Sequence, residues 1–70
     1  MMPLCFLKVG EVGKIVKING KDDVQKHLGN LGFVVGESVS VVSELEGNVI
    51  VDIKGARVAL DKKMANRIMV

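Results

Sequence analysis

The sequence predicts a mainly β fold, a small closed or nearly closed barrel of about five short strands with one inserted α-helix and a short C-terminal helical turn. Three observations lead to this prediction. Thirteen valines and five isoleucines among the 70 residues supply β-branched side chains, which favour strands. Turn signals that contain glycine recur at short intervals, and only one segment carries apolar residues at helical spacing. Closure is expected because strands this apolar aggregate when their edges stay open.

Length and composition indicate one small domain that occupies residues 1–70. Apolar residues make up 49% of the chain, which supplies a core and excludes disorder. The net charge of +2 is too small to indicate nucleic-acid or lipid binding. A single cysteine fits a reducing compartment. We expect neither a signal peptide in the apolar start, Met1 to Leu7, nor a membrane-spanning segment anywhere.

The first strand is predicted to run from Val12 to Ile18 after Gly10. The pair Asn19-Gly20 ends it, because these residues tolerate the positive φ of a turn. One face of this strand carries Val12, Lys14, Val16 and Ile18.

The helix is predicted around Val24, Leu28 and Leu31, whose i, i+4, i+7 spacing forms one apolar stripe. Leu28 and Leu31 are expected to be buried against the barrel, since the stripe has no other apolar surface to meet. Gly29 lies inside the helix, where it costs up to about 1 kcal/mol relative to alanine. Its presence therefore predicts close packing of the helix against a strand.

Polar residues and glycine mark the ends of this helix. Asp22 is expected to cap the N-terminus, with Gln25 completing a capping box, and Gly32 is expected to stop the helix. Asp22 and Asp23 could also coordinate a cation, but two carboxylates at this place are more typical of a helix start.

The second half of the chain predicts four further strands and a helical turn, separated by turn residues. They are a strand after Gly36 with Val39 and Val41 on one face, a hairpin turn at Glu46-Gly47-Asn48, a return strand with Val49, Val51 and Ile53 on one face, a turn at Gly55, a strand from Arg57 to Leu60, a helical turn capped by Asp61, and a closing strand from Arg67 to Val70 whose Ile68 and Val70 face inward.

Composition argues against catalysis. The chain has no Trp, Tyr or Thr, and His27 and Cys5 are its only histidine and cysteine. A nucleophilic site needs a nucleophile, a base and an orienting group, and a zinc site needs three or four ligands. We therefore predict a binding module with no catalytic, cofactor-binding or metal-binding residues. Cys5 and His27 are better interpreted as a small apolar residue and a solvated imidazole than as ligands.

Other binding modes are also disfavoured. Grooves for proline-rich peptides and platforms for single-stranded nucleic acid need aromatic side chains, and this chain has only Phe6 and Phe33. A helix-turn-helix would need a helix from Val34 to Val42, a segment rich in valine. The basic group of Lys62, Lys63 and Arg67 is interpreted as a solvated face rather than an anion site.

Four segments, in the same order and covering nearly the whole chain, resemble the motifs of the ferrous iron transport protein A (FeoA) family. Each motif is weak alone, but four in order are fairly specific. They are Leu7-Lys8-Val9-Gly10-Glu11-Val12-Gly13-Lys14-Ile15, the helix and loop from Gln25 to Gly36 with the "L-x-x-L-G-(I/F)-x-x-G" core, Gly55-Ala56-Arg57-Val58-Ala59-Leu60, and Ala65-Asn66-Arg67-Ile68-Met69-Val70.

The resemblance implies an SH3-like barrel with a helix inserted after the first strand. It also implies a cytoplasmic accessory protein of bacterial ferrous iron uptake, whose partner is the FeoB-type membrane permease with its GTPase domain. No cofactor, nucleic acid or membrane insertion is expected, and homo-oligomer formation is left open. The alternative is a metal-responsive regulatory domain, similar to the C-terminal domain of iron-dependent repressors, that works with a separate DNA-binding partner.

The partner surface is predicted on the outer side of the helix and the loop after it. Within the apolar triplet that follows the helix, Phe33 is expected to point inward, which leaves the two valines beside a polar helix face. An alternative is strand addition at an open edge from Ser38 to Ser43. At two of the predicted positions the chain departs from the family, which often has Pro where Val35 stands and Arg where His27 stands. The predicted contact residues are Lys26, His27, Asn30, Val34 and Val35.

Overall fold

Six short strands and two helices make up the protein, and the computed structural model describes all of residues 1–70. The mainly β class with one inserted helix and a short C-terminal helix is confirmed. In chain order the elements are a 3₁₀ turn Leu4–Phe6, β1 Val12–Lys14, β2 Lys17–Ile18, α1 Asp22–Asn30, β3 Ser38–Leu45, β4 Asn48–Ile53, β5 Ala56–Asp61, α2 Lys62–Ala65 and β6 Ile68–Met69.

The strands form two antiparallel sheets, and their hydrogen bonds do not close into one continuous barrel. One sheet has the order β1-β3-β4-β5, and the other is a ribbon of β2 and β6. Because β3 lies between β1 and β4, the segment from Ser38 to Ser43 belongs to a central strand. The alternative docking edge proposed for this segment is therefore wrong.

The predicted strand from Val12 to Ile18 is divided into β1 and β2 at Ile15, where the chain changes partners. The Ile15 N–H donates to the Glu37 carbonyl at 2.9 Å, and the next N–H, of Val16, donates to the Met69 carbonyl at 2.9 Å. Ile15 is buried and Val16 is exposed. The prediction of one uninterrupted strand is thus wrong, because one segment is shared between two sheets.

Two hairpin turns join β3 to β4 and β4 to β5, as predicted. Each has two residues with positive φ, 49° at Glu46 and 84° at Gly47, then 49° at Lys54 and 78° at Gly55. This is the pattern of type I′ turns, whose twist matches that of the flanking strands. The turns set the starting register of each hairpin, and a bulge between Val41 and Ser43 shifts β3 so that Val41 lies opposite Val51 and Val39 lies opposite Ile53. The buried valines of β3 and β4 therefore face the same side.

The core is a single cluster of thirteen buried apolar residues. It combines the inner faces of β3, β4 and β5 with one position of α1, the segment between β1 and β2, the loop after α1 and residues near both chain ends. No polar or charged residue is buried. The members are Leu4, Leu7, Ile15, Leu28, Phe33, Val39, Val41, Val49, Val51, Ile53, Leu60, Ala65 and Ile68.

Three details of the first helix differ from the prediction. Lys21, in an extended conformation, is the N-cap residue, and Asp22 is the first residue inside the helix and makes no side-chain cap. The Gln25 side chain donates to the Gly20 carbonyl at 3.0 Å instead of completing a capping box. Leu28 is fully buried as predicted, but Leu31 is 37% exposed because the helix ends at Asn30.

The C-terminal turn follows the prediction closely. Asp61 caps α2 by accepting a hydrogen bond from the Met64 N–H at 2.8 Å. The chain then enters β6, where Ile68 is fully buried and Val70 is half-buried. Neither helix is long and apolar enough to cross a membrane.

Candidate partner-binding groove

An open groove of about 360 Å³ lies between α1, β2 and the loop that follows α1. Five of its eight lining residues are apolar. The helix contributes Gln25 and Gly29, the segment at β2 contributes Val16, Lys17 and Ile18, and the loop contributes Phe33, Val34 and Val35.

The end of α1 shapes the groove. Gly32 has a φ of 104°, and its N–H donates to the Gly29 carbonyl while the Phe33 N–H donates to the Leu28 carbonyl, both at 3.0 Å. This pair of bonds is a Schellman motif, which normally brings the apolar residue after the glycine onto the last turn of the helix. Phe33 and Leu28 are accordingly both fully buried. Phe33 points inward as predicted.

The two residues after Phe33 face outward and are held in place by backbone hydrogen bonds. The Glu37 N–H donates to the Val34 carbonyl at 3.1 Å, and the Gly36 N–H donates to the Ile15 carbonyl at 2.8 Å. The loop is therefore fastened to the segment between β1 and β2. Val34 is 38% exposed and Val35 is 65% exposed, so apolar surface remains uncovered at the groove.

Gly29 has no packing role in the fold. A Cβ atom built at this position would meet no atom within 4 Å. The prediction that Gly29 allows close packing against a strand is therefore wrong, because the side of the helix it occupies borders the groove and not a strand.

Two ammonium groups near the groove have no ion-pair partner. Lys17 lines the groove and Lys26 is exposed on α1. The two salt bridges of the protein involve other residues, Lys54 with Glu37 and Arg57 with Asp52. An apolar patch with free ammonium groups beside it can take an apolar side chain that has acidic neighbours.

The structure separates the five residues predicted to contact a partner. Val34 and Val35 line the groove, whereas Lys26, His27 and Asn30 are exposed on α1 outside the lining. With 3.6 residues per turn, Lys26 lies about 100° around the helix from Gln25 and His27 about 200°. Lys26 is therefore placed at the rim, and His27 faces away from the groove.

Six lining residues were not predicted from the sequence. Five of them belong to the segment at β2 and to one side of α1, which approach each other only through tertiary structure, and the sixth, Phe33, belongs to the loop after α1. A glycine in the middle of a helix was the available signal, and it marks an open surface here. The six are Val16, Lys17, Ile18, Gln25, Gly29 and Phe33.

The side chains that could ligate a metal do not cluster at the groove or elsewhere. No group of three or more His, Cys, Asp or Glu residues is placed to hold a metal ion. The Cys5 thiol donates to the Asn66 side-chain oxygen, and His27 is exposed on α1. What the groove offers is a shaped apolar surface for binding.

Comparison with known families gives one match that spans nearly the whole chain. The family model described as FeoA domain matches residues 2–70. Fe(2+) transport protein A of Methanocaldococcus jannaschii is 33% identical over 70 residues, which cover 100% of this chain and 85% of that protein.

Solved structures agree with this match. The crystal structure of an iron uptake regulatory protein (FeoA) superposes with a TM-score of 0.88 at 28% identity, over 96% of this chain and 89% of that one. FeoA of Stenotrophomonas maltophilia, described as an SH3 domain protein and complexed with zinc, superposes with a TM-score of 0.84 at 26% identity, over 99% and 88%. The SH3-like fold is thereby confirmed.

A manganese-dependent transcriptional repressor contains the same fold. Its TM-score is 0.84 at 22% identity, and the match covers 94% of this chain but 38% of the repressor. At this level of identity the likeness concerns the fold alone.

Proposed function

The chain belongs to the FeoA family, and from this premise we propose that it is an accessory protein of ferrous iron uptake that works by protein–protein contact. The partner we propose is a FeoB-type membrane permease, contacted through its cytoplasmic part and GTPase domain. The matched relatives support this proposal, since one is described as an Fe(2+) transport protein and another as an iron uptake regulatory protein. The proposal places the protein in the cytoplasm.

The groove is the proposed docking site, and Gly29 is the observation that carries this assignment. A glycine inside a helix lowers stability by up to about 1 kcal/mol relative to alanine. No neighbouring atom in the fold requires it, because a Cβ there would meet open space. Gly29 lines the groove, and a side chain at this position would fill part of it.

The surface around the groove has the composition of a small protein interface. Val34 and Val35 provide exposed apolar area, and Lys26 and Asn30 extend the polar rim along α1. An apolar centre with a polar rim is a common arrangement at interfaces. The proposed ligand is a segment of the permease that places an apolar side chain in the groove and an acidic group near Lys17 or Lys26. His27 contributes only if the partner extends around the helix.

Substitution of Val34 tests this site. Val34→Glu places a carboxylate on the apolar wall, and we expect the affinity for the purified permease to fall about tenfold or more, because an unpaired charge is desolvated on binding. Val9→Glu is the matched control, since Val9 is 60% exposed and lies outside the groove. Affinity is measured by biolayer interferometry with the permease in nanodiscs, and folding by a thermal melt of each variant. Equal binding of both folded variants would show that the groove is not the docking site.

Gly29→Ala separates docking from stability. We expect the melting temperature to rise, because alanine stabilises a helix interior by up to about 1 kcal/mol and its Cβ has space. We expect permease binding to weaken, because the methyl group enters the groove. A variant that is more stable and also binds normally would contradict the assignment of Gly29 to docking.

The alternative function is a metal-responsive regulatory domain that works with a separate DNA-binding partner. The fold shared with the repressor motivates this alternative. It predicts that partner capture depends on Mn²⁺ or Fe²⁺, whereas docking on the permease through an apolar groove does not. The same binding measurement with added metal and with a chelator distinguishes the two.

A further inference from the structure

The strand β5 leaves one edge of the four-stranded sheet open. It pairs with β4 alone, and none of its residues takes part in the backbone hydrogen bonds made by loops and turns. The strand is six residues long, compared with three for β1 at the opposite edge. It contains no proline or lysine, and its ladder with β4 has no bulge. Proline, lysine and bulges commonly prevent one edge strand from pairing with another, and β5 has none of the three.

The register with β4 determines which backbone groups face the open edge. Ile53 and Ala56 flank the two-residue turn, so this pair exchanges both of its hydrogen bonds. Bonded and non-bonded pairs alternate along an antiparallel ladder. The N–H and C=O groups of Arg57 and Ala59 therefore point away from β4.

We propose that β5 pairs antiparallel with β5 of a second copy of this chain, with the two-fold axis at Ala59. Two four-stranded sheets then become one sheet of eight strands. In this register Ala59 lies opposite Ala59 of the second copy, Arg57 lies opposite Asp61, and Val58 lies opposite Leu60. The central pair then joins two small side chains, the outer pairs join opposite charges, and the pairs between them join apolar side chains. Pairs of opposite charge and pairs of apolar side chains stabilise antiparallel strands.

Neighbouring registers lack this complementarity. A shift of one residue places Arg57 opposite Leu60 and joins the outer face of one strand to the inner face of the other. A shift of two residues places Arg57 opposite Ala59, which leaves both charges without partners. The free N–H and C=O groups of Ala59 bond to those of Ala59 in the second copy only when the two-fold axis passes through that residue.

The side chains at the edge are available for the proposed contact. The Arg57 side chain is 69% exposed and uses its Nε to bind Asp52 at 3.2 Å, which leaves its terminal nitrogens free to reach a second carboxylate. Asp61 uses Oδ1 to cap α2, which leaves Oδ2. No residue of β5 lines the groove, so the paired strands themselves occupy neither of the proposed docking sites of the dimer.

Sedimentation velocity over a range of concentrations tests the proposal. We expect the chain, of 7.5 kDa, to approach twice this mass as concentration rises. Ala59→Lys places two ammonium groups opposite each other, and we expect it to raise the dimer dissociation constant about tenfold or more. Ala56→Lys is the matched control, because it adds the same charge to the same exposed strand but lies outside the paired segment. A chain that stays monomeric, or a dimer equally weakened by both substitutions, would overturn the proposal.

A cross-link tests the register itself. In a Cys5→Ser background, Ala59→Cys brings two thiols together across the axis, where the Cα atoms of a bonded antiparallel pair are about 5.5 Å apart and within disulfide range. We expect mild oxidation to link this variant and not Ala56→Cys in the same background. Linkage of both at equal rates would show random collision, and linkage of Ala56→Cys alone would show a different register.

Discussion

At Gly32 the backbone adopts a φ of 104°, and a single residue thereby directs the next three side chains. A Cβ there would be 3.6 Å from the nearest Ile53 atom, an ordinary contact distance, so the requirement for glycine comes from the backbone conformation and not from lack of space. The turn sends Phe33 into the core and leaves Val34 and Val35 at the surface. One residue therefore couples the completion of the core to the exposure of the groove.

Two leucines of the same helical segment give a direct test of core packing. Leu28→Ala is expected to lower the free energy of unfolding by about 2–5 kcal/mol, because Leu28 is fully buried and a cavity would remain. Leu31→Ala removes the same atoms from a side chain that is 37% exposed, so a loss of about 1 kcal/mol or less is expected. Thermal and urea unfolding of the two variants measure the difference. Equal losses would show that the helix packs by a different face.

At the scale of elements, the parts that could be predicted are those fixed by local chemistry. The hairpin turn at Glu46-Gly47 and the cap by Asp61 depend on residues within a few positions of each other, and both were predicted correctly. The division of the strand at Ile15 depends on Glu37 and Met69, which are distant in sequence. Period-2 alternation carries no information about which partner a strand meets, so this division was missed.

The turn between β3 and β4 is strained at one position. Glu46 has a φ of 49°, which costs most residues about 1–2 kcal/mol and is tolerated better by asparagine. We expect Glu46→Asn to raise the melting temperature. Glu44→Asn is the control, because Glu44 lies within β3, where asparagine is disfavoured. Calorimetry that shows Glu46→Asn to be the less stable of the two would contradict the assignment of a type I′ turn.

At the scale of the whole molecule, the candidate site illustrates why sequence reasoning located only part of the surface. Val34 and Val35 could be assigned because they follow the helix in an apolar run. The opposite wall consists of β2 and the preceding Val16, and nothing local indicates that this strand faces the helix across an open space. The groove is formed by elements that are separate in the sequence, so it can be located only when their packing is known.

The distribution of ligating side chains leads to a prediction about iron. The chain has one His and one Cys, and its carboxylates form no cluster with them. A tight metal site needs several convergent ligands. In an anaerobic calorimetric titration of the isolated protein with Fe²⁺, we expect no one-to-one binding of submicromolar affinity. If such binding were observed and the Cys5→Ser/His27→Gln variant lost it, this prediction would be wrong.

The two ends of the chain are joined to each other in the folded state. Met2 and Val70 exchange two backbone hydrogen bonds, at 2.9 and 2.8 Å, and Lys17 of β2 pairs with Met69 of β6. During synthesis β2 leaves the ribosome long before its partner strand exists. All four strands of the β1-β3-β4-β5 sheet are synthesised before β6, whereas the ribbon of β2 and β6 can form only after β6 has been synthesised. Since the groove is walled by β2 on one side, we expect the proposed docking surface to be completed last, so that a partially synthesised chain does not yet present it.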